Sequence, residues 1–199
     1  MKIVYTPKCL DFGQPGHPES PERVREAVDF LKKEGYEFVE PEGCKREELL
    51  QVHSKELVGK VKNGDFYSPD CPRYEDIYDY ACLSVGGAIK AAEVNGFSVM
   101  RPPGHHATTD DLGGFCYFNN LAVAVEKLGM KTLIVDIDRH HGNGTQDIFL
   151  GGDDITYISL HGTGYPGTGE KSKENCHNHA FKGSTGDEEY LEVLESALN

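Results

Sequence analysis

The chain has 199 residues, 38% hydrophobic and 27% charged, with a formal net charge of −13. Its mean hydropathy is −0.50, and no apolar run approaches the roughly 20 residues needed to span a bilayer, so no membrane span is predicted. The acidic balance argues against direct nucleic-acid binding, since phosphate contacts need a positive surface, and is compatible with a cationic substrate.

Length alone suits one domain over residues 1–199. Six widely spaced cysteines lack any C-x-x-C pair, and Met1 to Pro7 lacks a signal-peptide apolar stretch. Both features predict reduced thiols and a cytoplasmic location. Residues 1–7 read as a first strand and 11–23 as a loop. Ser20 and Pro21 then start a helix running to about Lys33, with Val24, Ala27, Val28 and Leu31 as its buried face and Gly35 as its stop. A strand is predicted over Tyr36 to Val39, short helices over Arg46 to Val52 and Ser54 to Val61, and a loop over 63–73.

Tyr74 to Asn95 is helical in pattern, packed through Ala81, Val85, Ala88, Ala91 and Ala92; Gly86 and Gly87 inside it predict close approach of a neighbouring element. Phe97 to Met100 reads as a strand, Asn119 to Leu128 as a helix, Leu133 to Val135 as a buried central strand, and Gly144 to Leu150 as a short helix. A strand over Ile155 to Leu160 and a helix over Asp187 to Leu198 complete the alternation. The predicted class is α/β, three layers with a mostly parallel sheet between helices.

The chemistry concentrates at two strand ends. After Val135 come Asp136, Asp138, His140 and His141, followed by Gly142 and Gly144, which permit a sharp turn. Ligands in open α/β sheets gather at the carboxyl ends of strands. Asp138 and His140, two apart in an extended segment, point to one side and can share a divalent ion. The second cluster is Gly104-His105-His106-Ala107, again after a strand. His141 and His161 read as structural, His177 and His179 as solvated residues of a polar loop, and Cys116 as a wall residue, with no activating base evident.

These segments resemble the histone deacetylase superfamily, which includes acetylpolyamine amidohydrolases and acetoin-utilisation proteins. The matching stretches are His17-Pro-Glu-Ser-Pro-Glu-Arg23, Arg101-Pro-Pro-Gly-His-His-Ala107, Gly114-Phe-Cys-Tyr-Phe-Asn-Asn120, Asp136-Ile-Asp-Arg-His-His-Gly-Asn-Gly144, Ser159-Leu-His161 and Gly186-Asp187. The Arg-Pro-Pro-Gly-His-His wording is closest to class II and prokaryotic members. The resemblance implies the arginase/deacetylase fold and zinc-dependent hydrolysis of an acetylated amine, either acetyl-lysine or acetylpolyamine. It implies Asp138 and His140 as two metal ligands, with iron(II) an alternative to zinc at such donors. His106 is implied as general base and acid, His105 as its electrostatic partner oriented by Asp136, and Asn143 as partner of the other imidazole. Main-chain carbonyls of Asp136, Asp138 and His140, with Ser159 and Leu160, match a structural potassium site. Gly114, Phe115 and Tyr165 match the walls of an acyl-lysine tunnel.

The family's third metal ligand, in an Asp-Pro-Leu segment, and its Gly-Gly-Tyr tyrosine have no counterpart downstream of His161. The C-terminal strands are therefore expected to be missing, and a complementary C-terminal segment, a partner chain or a homo-oligomer is expected to complete the enzyme. The alternative is a catalytically incomplete homologue that binds an acylated amine or a partner. Arginase-like chemistry on paired manganese requires more carboxylates than these strand ends supply.

Overall fold

In the computed structural model, which describes residues 1–199, the chain divides into two units, Met1–Gly129 and Met130–Asn199. Every strand pair is parallel, in two three-stranded sheets of order β2-β1-β3 and β4-β5-β6. The class is α/β with parallel sheets flanked by helices, as expected. The hydrogen-bonded ladders form two sheets where a single one was anticipated.

In the first unit β1 (Lys2–Val4) lies between β2 (Glu37–Val39) and β3 (Phe97–Ser98). Parallel neighbours need a crossover, and α1 (Pro21–Lys33) supplies it between β1 and β2. Ser20 holds the extended N-cap conformation with Pro21 at the first helical position, but its hydroxyl makes no capping bond. The helix stops at the Glu34 C-cap, and Gly35 follows at φ +76°. Val28 is buried, and Val24 and Leu31 pack with it on Ile3, Tyr5, Cys9 and Val99. Ala27 is exposed, so the buried stripe is narrower than the spacing predicted. A 3-10 turn over Pro7–Leu10, unanticipated, places Cys9 in that core.

Two short helices follow, α2 (Arg46–Leu49) and α3 (Lys55–Asn63); the second is capped by Ser54, whose hydroxyl accepts from the Leu57 amide at 3.2 Å. The long α4 (Ile77–Val94) packs on α5 (Asn120–Leu128). Gly86 and Gly87 are where other elements come close: a Cβ on Gly86 would collide with the Glu42 carbonyl, and one on Gly87 with Met100 and Ser98. Ala81 and Val85 are buried as predicted, whereas Ala92 is exposed. The β3 strand is only two residues long because Met100 and Arg101 leave the ladder for the turn that follows.

The second unit is built on β5 (Ile155–Gly162), whose residues 157–162 are buried between β4 (Thr132–Asp136) and β6 (Cys176–Phe181). The β4 strand was expected to be central and buried. It is an outer strand of its sheet, with Ile134 buried but Leu133 52% and Val135 38% exposed on the other face. The β6 strand was not anticipated, because its sequence Cys-His-Asn-His-Ala-Phe carries no apolar run. His177 and His179 therefore sit on a strand, not in a polar loop, the first exposed and the second half-buried. The remaining helices are α6 (Asn143–Phe149) and α7 (Asp187–Leu198). No helix is long and apolar enough to cross a membrane.

Because the obstacle at Gly86 is main chain, Gly86→Ala is expected to cost about 1–3 kcal/mol of stability through overpacking. Urea unfolding of the variant checks this; an unchanged midpoint would mean that the Glu42 segment yields freely.

Candidate functional site

The Arg101-Pro-Pro-Gly-His-His segment hangs from a buried ion pair. Arg101 is 2% exposed, and its Nε and Nη2 donate to the two carboxylate oxygens of Glu19, each at 2.7 Å. Its Nη1 donates to the carbonyls of Cys9 at 2.8 Å and Phe12 at 2.7 Å, and its guanidinium lies 3.7 Å from the Phe12 ring centroid. Arg101–Pro102 is cis, and the Pro102 carbonyl accepts from the Ser84 hydroxyl of α4 at 2.8 Å. Gly104 abuts Asn120 so closely that any Cβ would collide with its amide. Beyond that glycine the His105 and His106 rings lie 4.0 Å apart at 48°, with His106 buried.

Gly114 and Phe115, the implied tunnel residues of this unit, form a tight turn at φ +54° and +71°. For a phenylalanine that left-handed conformation is strained, and it is held by paired Gly113–Cys116 backbone bonds of 3.0 and 2.9 Å. The His17 ring meets the Phe115 ring edge-on at 4.9 Å. Cys116 is fully buried with its thiol directed at the Gly114 carbonyl. His53, which the sequence reading passed over, braces this loop from below. Its Nε2 accepts from the Asn119 amide at 2.9 Å, which places the proton on Nδ1, bonded to the Thr108 carbonyl at 2.9 Å. Burial pushes its pKa down to about 4.

In the second unit the acids after β4 fold the chain back by accepting amides two residues on. Asp136 Oδ1 accepts from the Asp138 amide at 3.0 Å, and Asp138 Oδ1 from the His140 amide at 2.8 Å. His140 Nδ1 lies 3.4 Å from Asp138 Oδ1, and both side chains are about half exposed. The Tyr165 ring meets His140 edge-on at 5.4 Å. Asp136 Oδ2 accepts from the Tyr157 hydroxyl at 2.9 Å; burial, reinforced by that carboxylate, raises the tyrosine pKa. Tyr157 is a second residue the sequence reading missed. Asp136 pairs in register with Ser159 across β4 and β5, with buried Leu160 next.

Asn143 opens α6, its amide bonded to the His141 carbonyl at 2.9 Å. His141 is buried between Thr168 Oγ1 and Gln146 Oε1, at 2.8 and 3.2 Å. His161 Nδ1 pairs with Ser159 Oγ at 2.8 Å and its Nε2 with the Gly169 carbonyl at 3.1 Å; burial lowers its pKa. Both read as structural, as expected. Neither unit by itself gathers three His, Cys, Asp or Glu side chains into a metal cluster.

The histone deacetylase domain matches residues 17–199. The chain belongs to the histone deacetylase family. Among relatives of this family, a probable deacetylase of Archaeoglobus fulgidus is 38% identical over 98% of this chain, which spans 63% of that protein's length. A histone deacetylase-like amidohydrolase of Pseudomonas aeruginosa is 36% identical over 75% of the chain and 45% of its own length. The crystal structure of the HDA15 HD domain superposes with a TM-score of 0.90 at 31% identity, covering 99% of this chain and 67% of that one.

Glu19→Gln leaves the Arg101 guanidinium buried without its counter-charge and is expected to cost about 3–5 kcal/mol of stability, read from chemical denaturation. A second outcome concerns pH. His53 has a folded pKa of about 4 against an ordinary value of 6.5, so the unfolded chain binds its proton first. The stability this contributes is whole above pH 6.5 and declines as pH falls towards 4, by about 3 kcal/mol in total. Unfolding free energies across that window should show the loss, and an imidazole NMR signal for His53 still neutral at pH 5 should accompany it.

Proposed function

We propose that this histone deacetylase family chain is the main part of a zinc-dependent deacetylase that hydrolyses an acetylated amine, acetyl-lysine or acetylpolyamine. The observation that carries the reading is the Asp138–His140 donor pair. A carboxylate oxygen and an imidazole nitrogen 3.4 Å apart match the edge of a tetrahedron whose ligands stand about 2.0–2.1 Å from a zinc ion. The donor chemistry therefore fits zinc, and iron(II) suits the same pair. A catalytic zinc takes three protein ligands, and the third is proposed to come from a further segment, a partner chain or a second copy.

When bound, the metal would lower the pKa of a water and polarise the amide carbonyl. The chain's own residues handle the protons. His106, held at the end of the Arg101 anchor, takes the proton from the attacking water and returns it to the leaving amine. His105, 4.0 Å from it, is assigned as its electrostatic partner. Asp136 is assigned to orient His105, and Asn143 to hold the other imidazole. Gly114, Phe115 and Tyr165 are assigned to walls along the alkyl chain, since aromatic rings suit an apolar stem leading to a polar end. A structural potassium ion is assigned to the carbonyls of Asp136, Asp138 and His140 with Ser159 and Leu160. Six cysteines without a disulfide support a cytoplasmic setting.

The test uses protein expressed from the whole reading frame containing these residues, loaded with zinc, with fluorogenic acetyl-lysine peptide and acetylated polyamine as substrates. His106→Ala is expected to lower turnover by at least about a hundredfold while elemental analysis still finds metal. Asp138→Ala is expected to lose the metal itself, together with hydroxamate binding. Equal turnover in metal-free protein, or in the His106 variant, would sink the reading.

A further inference from the structure

Apart from the motif residues, the first unit brings two of its free cysteines together. Cys44 lies between β2 and α2, and Cys82 in the second turn of α4. The Cys44 amide donates to the Cys82 carbonyl at 2.9 Å. Such a bond keeps two Cα atoms within the span of about 4.4–6.8 Å that a disulfide bridges. The chain is equally tight one residue earlier, where a Cβ on Gly43 would stand 3.9 Å from the Cys82 Cβ. Each thiol influences the ionisation of the other. Cys44 also lines a solvent-open cavity of about 330 Å³, walled by Lys45, Glu48, Lys90 and Lys127. Cys82 itself is buried.

We infer that Cys44 and Cys82 are a thiol modification site, closing to a reversible disulfide when a peroxide enters this cavity. The Cys44 thiol and the Tyr78 hydroxyl both donate towards the Cys82 sulfur and pull its pKa down, whereas that same bond and burial push Cys44 up. The thiolate therefore forms on Cys82. It attacks one peroxide oxygen, the O–O bond breaks, and the departing hydroxide takes the Cys44 proton to become water. The Cys44 thiolate then attacks the Cys82 sulfenic sulfur, forming the S–S bond as the S–O bond breaks; this second hydroxide takes a proton from solvent. Two thiols lose two electrons, and one hydrogen peroxide becomes two waters.

The bond ties the segment ahead of α2 to the helix on which the cis-proline turn rests. Two residues beyond Cys82, the Ser84 hydroxyl holds the Pro102 carbonyl. Restraining α4 here restrains the support of the His105–His106 segment as well.

The experiment treats the folded protein with hydrogen peroxide, blocks remaining thiols, and maps tryptic peptides without reduction. Peptides 34–45 and 74–90 are expected joined, two hydrogens lighter than the reduced pair, and separable by dithiothreitol. The oxidised wild type is expected to melt several degrees higher than the reduced form, a shift abolished in Cys44→Ser. Recovery of both cysteines as blocked thiols while other cysteines oxidise would overturn the inference, as would either residue paired elsewhere. Because the mapping is done on wild type, the outcome does not depend on any variant folding.

Discussion

The first unit depends on a single charge that cannot be left alone. Arg101 is buried with a guanidinium that has five N–H groups to satisfy, and Glu19 and two carbonyls together accept four bonds from it. A buried ion pair of this kind contributes little net stability, since desolvation offsets the Coulomb gain. Its effect is positional. The bidentate pairing fixes the guanidinium plane, and the two carbonyls then fix the Cys9 to Phe12 turn relative to it. Arg101 is the residue before the cis-proline, so everything that constrains it also sets where the chain departs towards His105.

The second unit reaches comparable rigidity by a shorter route. Each acid after β4 accepts the amide two residues ahead, so the carboxylates hold the turn that carries them. Tyr157 from the neighbouring strand fixes Asp136, and Gly169 at φ +79° lets its segment pack against the His141 ring, where a Cβ would stand 2.5 Å from it. Pre-organisation of this sort matters for a metal donor pair, because a carboxylate already turned towards an imidazole loses less freedom on binding a cation.

Local signals in the sequence were legible where local physics decides the outcome. Pro21 at a helix start and the Gly86-Gly87 approach rest on neighbours within one turn or on a missing Cβ. Ser20 marks the limit: the backbone cap is present without the side-chain bond. Strands were less legible because their stability comes from partners. Nothing in Cys176 to Phe181 announces a strand until β5 is beside it, and the burial of β4 depends on what covers each face. Of the site, the paired histidines and acids were visible as residues. What fixes them was not: Glu19 is 82 residues from Arg101, and His53 is 55 from Thr108 and 66 from Asn119.

Bond inventory also separates the nine histidines in a way that spacing cannot. A neutral imidazole has one donor and one acceptor nitrogen, and when both are committed to the protein the ring carries neither a proton in transit nor a metal. His53, His141 and His161 meet that condition, each with two partners between 2.8 and 3.2 Å. The two His-His doublets are thus not equivalent. In the second, His141 is locked between Thr168 and Gln146, and only His140 presents its Nδ1 beside a carboxylate oxygen. In the first, the two rings lie 4.0 Å apart, tilted at 48°. A doublet with one ring locked between two side chains, and a doublet whose rings lie against each other, are different arrangements written in the same two letters.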